Sequence, residues 1–208
     1  MAMYARSTTF RDRPDAMEAG LAYVRDEVFP AVQQIEGCIG LSCLADRTSG
    51  RCVTTTAWAS EEAMRASDAL VAPLRERGAE IFAQRPEVQV WEVALMHRER
   101  PVTDGACARV TWTAGAPSSA DSNVELFRDT VLPQAVQIPG FLSTSLLIDR
   151  QTGRGALATV WESREAMAAS RETASRMRNE AVERMAEQVI EVAEFDVAVA
   201  HLRLPELV

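Results

Sequence analysis

Residues 25–67 and 128–170 are two copies of one sequence, set 103 positions apart. Laid side by side without a gap, RDEVFPAVQQIEGCIGLSCLADRTSGRCVTTTAWASEEAMRAS and RDTVLPQAVQIPGFLSTSLLIDRQTGRGALATVWESREAMAAS agree at 21 of 43 positions. The shared residues include Pro30/Pro133, Gly37/Gly140, Asp46/Asp149, Gly50/Gly153 and Trp58/Trp161. The register extends back to Arg6/Arg109 and, after a one-residue insertion, forward to His97/His201. A fixed internal period constrains the fold more than any local propensity, because each copy must be the same supersecondary unit.

Each copy reads as β-α-β-β-α-β. Tyr4 to Phe10 and Cys107 to Thr113 are β-rich openings. Met17, Leu21, Val24 and Val28, or Val124, Phe127 and Val131, then recur at helical steps on one face. Two β runs follow in each copy, Cys38–Ala45 with Cys52–Trp58 and Phe141–Ile148 with Gly155–Trp161. They are joined by Asp-Arg-x-x-Gly-Arg, whose glycine suits a hairpin turn needing positive φ. Ser60 and Ser163 are natural N-caps for a second helix, which Pro73 is expected to break or kink in the first copy only. A fourth strand ends each unit near His97 or His201. The fold class expected is α+β: two tandem ferredoxin-like units, 1–100 and 107–208, joined by a linker at 101–106. A sheet with helices on one side leaves its other face bare. The antiparallel sheets of the two units are therefore expected to pack together as an intramolecular α/β barrel.

Composition narrows the chemistry. All 22 basic residues are arginine, so no Schiff-base, pyridoxal-phosphate or phosphate-loop lysine exists. With a formal charge of −8 and no basic stripe, a phosphate backbone is repelled, and nucleic acid is not an expected partner. No apolar stretch approaches the roughly 20 residues that span a bilayer, and Met1 to Phe10 contains no signal-peptide block. A cytoplasmic location is the expectation, with Cys38, Cys43, Cys52 and Cys107 as thiols. Each of these cysteines stands opposite a non-cysteine in the other copy (Phe141, Leu146, Gly155 and Tyr4), which favours packing roles. No cluster of His, Cys or carboxylate has ligand spacing, so no metal is expected.

Gly37 or Pro139-Gly140 ahead of the second strand, followed by Trp58-Ala-Ser60-Glu-Glu62-Ala63-Met64 or Trp161-Glu-Ser163-Arg-Glu165-Ala166-Met167, resembles the P-G…W-x-S-x-E-A pattern of antibiotic biosynthesis monooxygenase (ABM) domains. The resemblance covers nearly the whole chain, twice. It implies the dimeric α/β-barrel fold and oxygenation of a small aromatic, polyketide or quinol-type substrate without metal, flavin or other cofactor. The haem-degrading branch of that superfamily resembles itself in an axial histidine on the second helix, and neither second helix here holds one.

The candidate site residues follow from the repeat. Trp58 and Trp161 fall where the third strand hands over to the second helix and are placed to stack on a planar ligand, or to plug the end of the barrel. Trp112 has Thr9 as its counterpart and is expected to give the second copy the richer aromatic lining. Arg6 and Arg109 on the first strands can stabilise an anion or pair with an acid such as Glu92 or Asp196. His97 and His201 are the only histidines. They are candidate bases, although a strand terminus also suits a solvated residue. Met167, Ser170 and Ala174 lie on one face of the second helix, where small residues leave room for a pocket. Two function classes stand: a cofactor-independent monooxygenase-like enzyme, and a non-catalytic small-molecule-binding or stress-associated protein. In both the partner is a small molecule, and assembly into a homo-oligomer is left open.

Overall fold

The first strand of the computed structural model is β1 (Met3–Phe10); the structure describes residues 2–202, so the tail at 203–208 of the expected second repeat lies outside the described residues. The first copy continues with α1 (Met17–Tyr23), α2 (Phe29–Gln33), β2 (Cys38–Asp46), β3 (Arg51–Trp58), α3 (Glu61–Ala66), α4 (Asp68–Phe82) and β4 (Glu87–Arg98). The second copy gives β5 (Cys107–Ala114), α5 (Ala120–Leu126), α6 (Leu132–Ala135), β6 (Phe141–Asp149), β7 (Arg154–Trp161), α7 (Arg164–Ala169), α8 (Arg171–Met185) and β8 (Gln188–Leu202). The chain is thus α+β with eight strands among the described residues. It divides into two units, residues 2–91 with 197–202 and residues 92–196.

In the first unit β3 is flanked by β1 and β2, both antiparallel, with Tyr4 and Cys38 opposite Trp58. In the second unit β7 lies between β5 and β6, β8 adds to β5 beginning with Cys107 opposite Asp196, and the 92–98 part of β4 adds to β6. The order β8-β5-β7-β6 is the ferredoxin-like order expected for one repeat. Helices cover a sheet face in each unit. Met17, Leu21, Val32, Leu41, Trp58, Met64 and Phe82 form one buried cluster. In the second unit Cys107, Phe141, Trp161 and Met167 form another, and Leu95, Phe127 and Leu132 a third.

The hairpin turns are as read. Gly50 and Gly153 hold φ of 72° and 71°. A Cβ on Gly50 would sit 2.3 Å from the backbone nitrogen of Pro14, and one on Gly153 would sit 2.1 Å from the carbonyl oxygen of Gly115. Both conformation and space therefore demand glycine. Ser60 and Ser163 cap their helices, each accepting through Oγ from the backbone N–H three residues on, at 3.1 Å.

The second helix departs from expectation. It is interrupted in both copies, at Ser67 and Ser170, and Pro73 lies within the unbroken α4. The serine hydroxyl donates back to the carbonyl of Met64 or Met167 at 2.7 Å, and Arg6 or Arg109 donates to the same carbonyl. A carbonyl drawn off in this way bends the helix at that turn. The first helix of each copy also widens to a π turn, at Val24–Val28 and Phe127–Val131, where the N–H of Phe29 reaches the carbonyl of Val24 and that of Leu132 reaches Phe127. Pro30 and Pro133 follow immediately. Their missing N–H groups and bulky rings disfavour the ordinary four-residue bond at that turn.

Candidate functional site

Between the helices and the sheet of the second unit lies a cavity of about 130 Å³. Arg109, Thr111 and Thr113 of β5, Leu157, Thr159 and Trp161 of β7, and Ala174, Met177, Arg178, Ala181 and Met185 of α8 line it, with Phe127 and Val131 from the π turn. The alternation along β5 and β7 follows from strand geometry, which sends every second side chain to one face. The same place in the first unit holds only about 60 Å³. Phe10 stacks on Phe82 there, with centroids 4.4 Å apart and planes 9° from parallel. Their counterparts are Thr113 and Met185. This exchange of two rings for a threonine and a methionine accounts for the larger second cavity. None of the residues of α8 is buried, whereas α4 buries Val71, Gly78 and Phe82.

Arg109 is 6% exposed. Its Nη1 donates to Ser170 Oγ at 3.1 Å and its Nη2 to the Met167 carbonyl at 2.8 Å, while Nε and Nη2 both donate to Glu194 Oε1, at 3.0 and 2.8 Å. Burial pushes the carboxyl of Glu194 up, but the bonds from Arg109 and Arg171 outweigh it and hold it below the ordinary value. Arg6 repeats the pattern, with Ser67 Oγ at 3.1 Å and the Met64 carbonyl at 2.7 Å, but pairs with Asp68 at 2.9 Å. Burial lowers the Arg6 pKa, Asp68 opposes that shift, and Arg75 adds to it. The acids that pair with these arginines are thus Glu194 and Asp68. The expected candidates are engaged elsewhere, Glu92 by Arg150 and Asp196 by Arg164.

The other candidates take varied places. Trp58 is fully buried, donates its indole N–H to Thr56 Oγ1 at 3.1 Å, and is not among the residues lining the smaller cavity. The Arg6 guanidinium lies 6.0 Å from its ring centroid. Trp161 lines the larger cavity, is 2% exposed, meets Phe141 edge-on, and has a buried indole N–H with no partner among the described residues. Trp112 points to the opposite face of β5 from Arg109 and meets the Phe195 ring edge-on. It therefore adds nothing to the cavity lining, and the expected aromatic enrichment fails because an odd and an even residue of one strand cannot share a face. Ala174 lines the cavity. Ser170 and Met167 are buried and bind Arg109 through a hydroxyl and a carbonyl. His97 contacts Glu99 at 3.3 Å and stacks near Phe141, and exposed His201 stacks on Phe29. Neither histidine is among the residues lining either cavity.

Sequence reasoning missed Arg178. It lines the larger cavity with a buried Nε that has no partner among the described residues, and its Nη2 donates to Ser175 Oγ at 3.3 Å. Burial, and then the charge of Arg109, lower its pKa. The repeat held the signal: the first copy has Asp68 where the second has Arg171, so the carboxylate beside Arg75 has no equivalent beside Arg178.

No family model matches the sequence. Among solved structures, an anthrone oxidase-like protein superposes with a TM-score of 0.68 at 17% identity, covering 94% of this chain and 91% of that one. A ferredoxin-fold protein from Listeria monocytogenes related to antibiotic biosynthesis monooxygenases gives a TM-score of 0.54 at 8% identity, covering 95% of each chain. These likenesses establish the fold. In sequence, the uncharacterized protein Rv2558 of Mycobacterium tuberculosis is 46% identical over 207 residues, covering 99% of this chain and 88% of its own length. By that relation the chain belongs to the same protein family as Rv2558.

Proposed function

We propose that the chain is a small-molecule-binding protein of the ABM-like ferredoxin fold, and that the second unit takes a small aromatic ligand between its helices and sheet. The observation that carries this reading is the largely apolar cavity of about 130 Å³, whose equivalent in the first unit is reduced to about 60 Å³ where Phe10 stacks on Phe82. A largely apolar recess of this size keeps its lining in water unless a ligand covers it, and its methionines can adapt to a planar ring. The packing of both sheets into one pseudo-dimeric barrel, as the repeat suggests, forms part of the proposal.

A second reading is cofactor-independent oxygenation of the bound ring. The solved monooxygenase-related and anthrone oxidase-like proteins of the same fold favour it. In that reading the groups in the cavity lining able to take the substrate's proton are the carboxylates of Asp149 and Glu187, since the lining includes no histidine, tyrosine or cysteine. Arg109, with donors committed to Glu194, Ser170 and Met167, acts by positioning. A thermal-shift screen against aromatic and quinol ligands, followed by oxygen-electrode measurements on those that bind, separates the two readings. Binding without oxygen uptake supports the binder; uptake dependent on both ligand and protein supports the oxygenase.

A further inference from the structure

The two units provide an internal comparison of the same positions. In the first, Trp58 gives its N–H to Thr56, and Arg75 stands 3.6 Å from Asp68. In the second, Thr159, the counterpart of Thr56, meets the Thr144 hydroxyl at 3.4 Å, where the first copy has Leu41, and accepts no bond from the indole. Trp161 is left with an unpartnered, buried N–H. Arg178 is the counterpart of Arg75, but Arg171 replaces the carboxylate, and Arg178 makes no ion pair among the described residues. In the second unit the Trp161 N–H thus lacks the acceptor that Trp58 has, and Arg178 lacks the counter-charge that Arg75 has, while each of the two arginines keeps one buried nitrogen without a hydrogen bond among the described residues, Arg75 Nη1 and Arg178 Nε; Trp161 and Arg178 both line the larger cavity.

A half-buried guanidinium without a counter-charge is unfavourable in an apolar setting and is relieved by an anion. An unbonded, buried indole N–H likewise lacks an acceptor. The cavity, at about 130 Å³, is close to the size that accommodates a single benzene ring. We infer that the second unit takes a single-ring aromatic monocarboxylate, with its carboxylate facing the guanidinium of Arg178 and its ring among Phe127, Leu157 and Met177. This assignment rests on the reading of the cavity as a ligand site and names the class of ligand. It adds Arg178 as the residue that selects for negative charge, a role separate from that of Arg109, whose own charge Glu194 neutralises.

Titration calorimetry of the full chain with benzoate and with its neutral isostere benzamide tests the inference. Benzoate is expected to bind at one site, about tenfold or more tighter than benzamide, the gain of a charge-assisted contact. Arg178→Gln is expected to bring the two probes within about twofold, while Arg75→Gln, the matching change in the first unit, leaves the preference intact. Equal binding of both probes by the unaltered chain overturns the carboxylate assignment while sustaining the cavity reading. A preference that survives Arg178→Gln overturns the role of Arg178. Failure of both probes to bind the folded chain overturns inference and cavity reading together.

Discussion

Phe10 and Phe82 stack with their ring centroids 4.4 Å apart, joining the first strand of the first unit to the end of α4. The pair narrows the space that remains larger in the second unit. Phe82→Ala should therefore cost about 3–5 kcal/mol of stability, read as a lower midpoint in urea unfolding. The corresponding Met185→Ala, at a residue that only partly closes its cavity, should cost clearly less.

The N-caps of α3 and α7 make equivalent bonds, from the Ala63 N–H to Ser60 Oγ and from the Ala166 N–H to Ser163 Oγ, both at 3.1 Å. Ser60→Ala and Ser163→Ala should each lower stability by about 0.5–2 kcal/mol. Aspartate at either position should restore most of the loss, which chemical denaturation would record.

Glu194 and Asp68 are unequal partners for their arginines. Glu194 is 25% exposed and accepts from both Arg109 and Arg171, whereas Asp68 is 56% exposed. Glu194→Gln should cost roughly 1–3 kcal/mol at neutral pH by leaving Arg109 without its charge partner. Asp68→Asn should cost less than about 1 kcal/mol, and less still in high salt.

The same pair predicts an acid response. The carboxyl of Glu194 lies below its ordinary value in the folded chain, since the arginine bonds outweigh the opposing effect of burial. Its contribution is therefore complete above the unfolded value of about 4.3 and fades as pH falls through the lower folded value. Thermal melts from pH 7 downward should show Glu194→Gln destabilised at neutral pH, with the gap from the unaltered chain closing below about pH 4.

The features legible in sequence were those with a local cause. Gly50 and Gly153 announce their turns, Ser60 and Ser163 their helix starts, and the 103-residue period the doubled unit. What escaped depends on groups distant in sequence. The bend at Ser67 and Ser170 arises because Arg6 and Arg109, 61 residues away, occupy a helix carbonyl and the serine together. Pro73 lies in α4 without breaking it, so the obvious breaker is the wrong one. Trp112 was legible and misread: strand alternation alone sets it opposite Arg109. That the Trp161 N–H lacks the threonine acceptor used by Trp58 is set by side-chain placement in the packed unit, which the conserved Thr56/Thr159 pair does not reveal in sequence.

The ligand site itself is tested most directly by filling it with the side chains that the first unit already uses. Thr113→Phe with Met185→Phe places the counterparts of Phe10 and Phe82 in the second unit. Benzoate binding to this double variant should be measured by calorimetry beside its urea midpoint. The double variant is expected to fold with a midpoint equal to or above that of the unaltered protein and to bind benzoate at least about tenfold more weakly. A folded double variant that binds benzoate as tightly as before would contradict the assignment of this cavity as the ligand site.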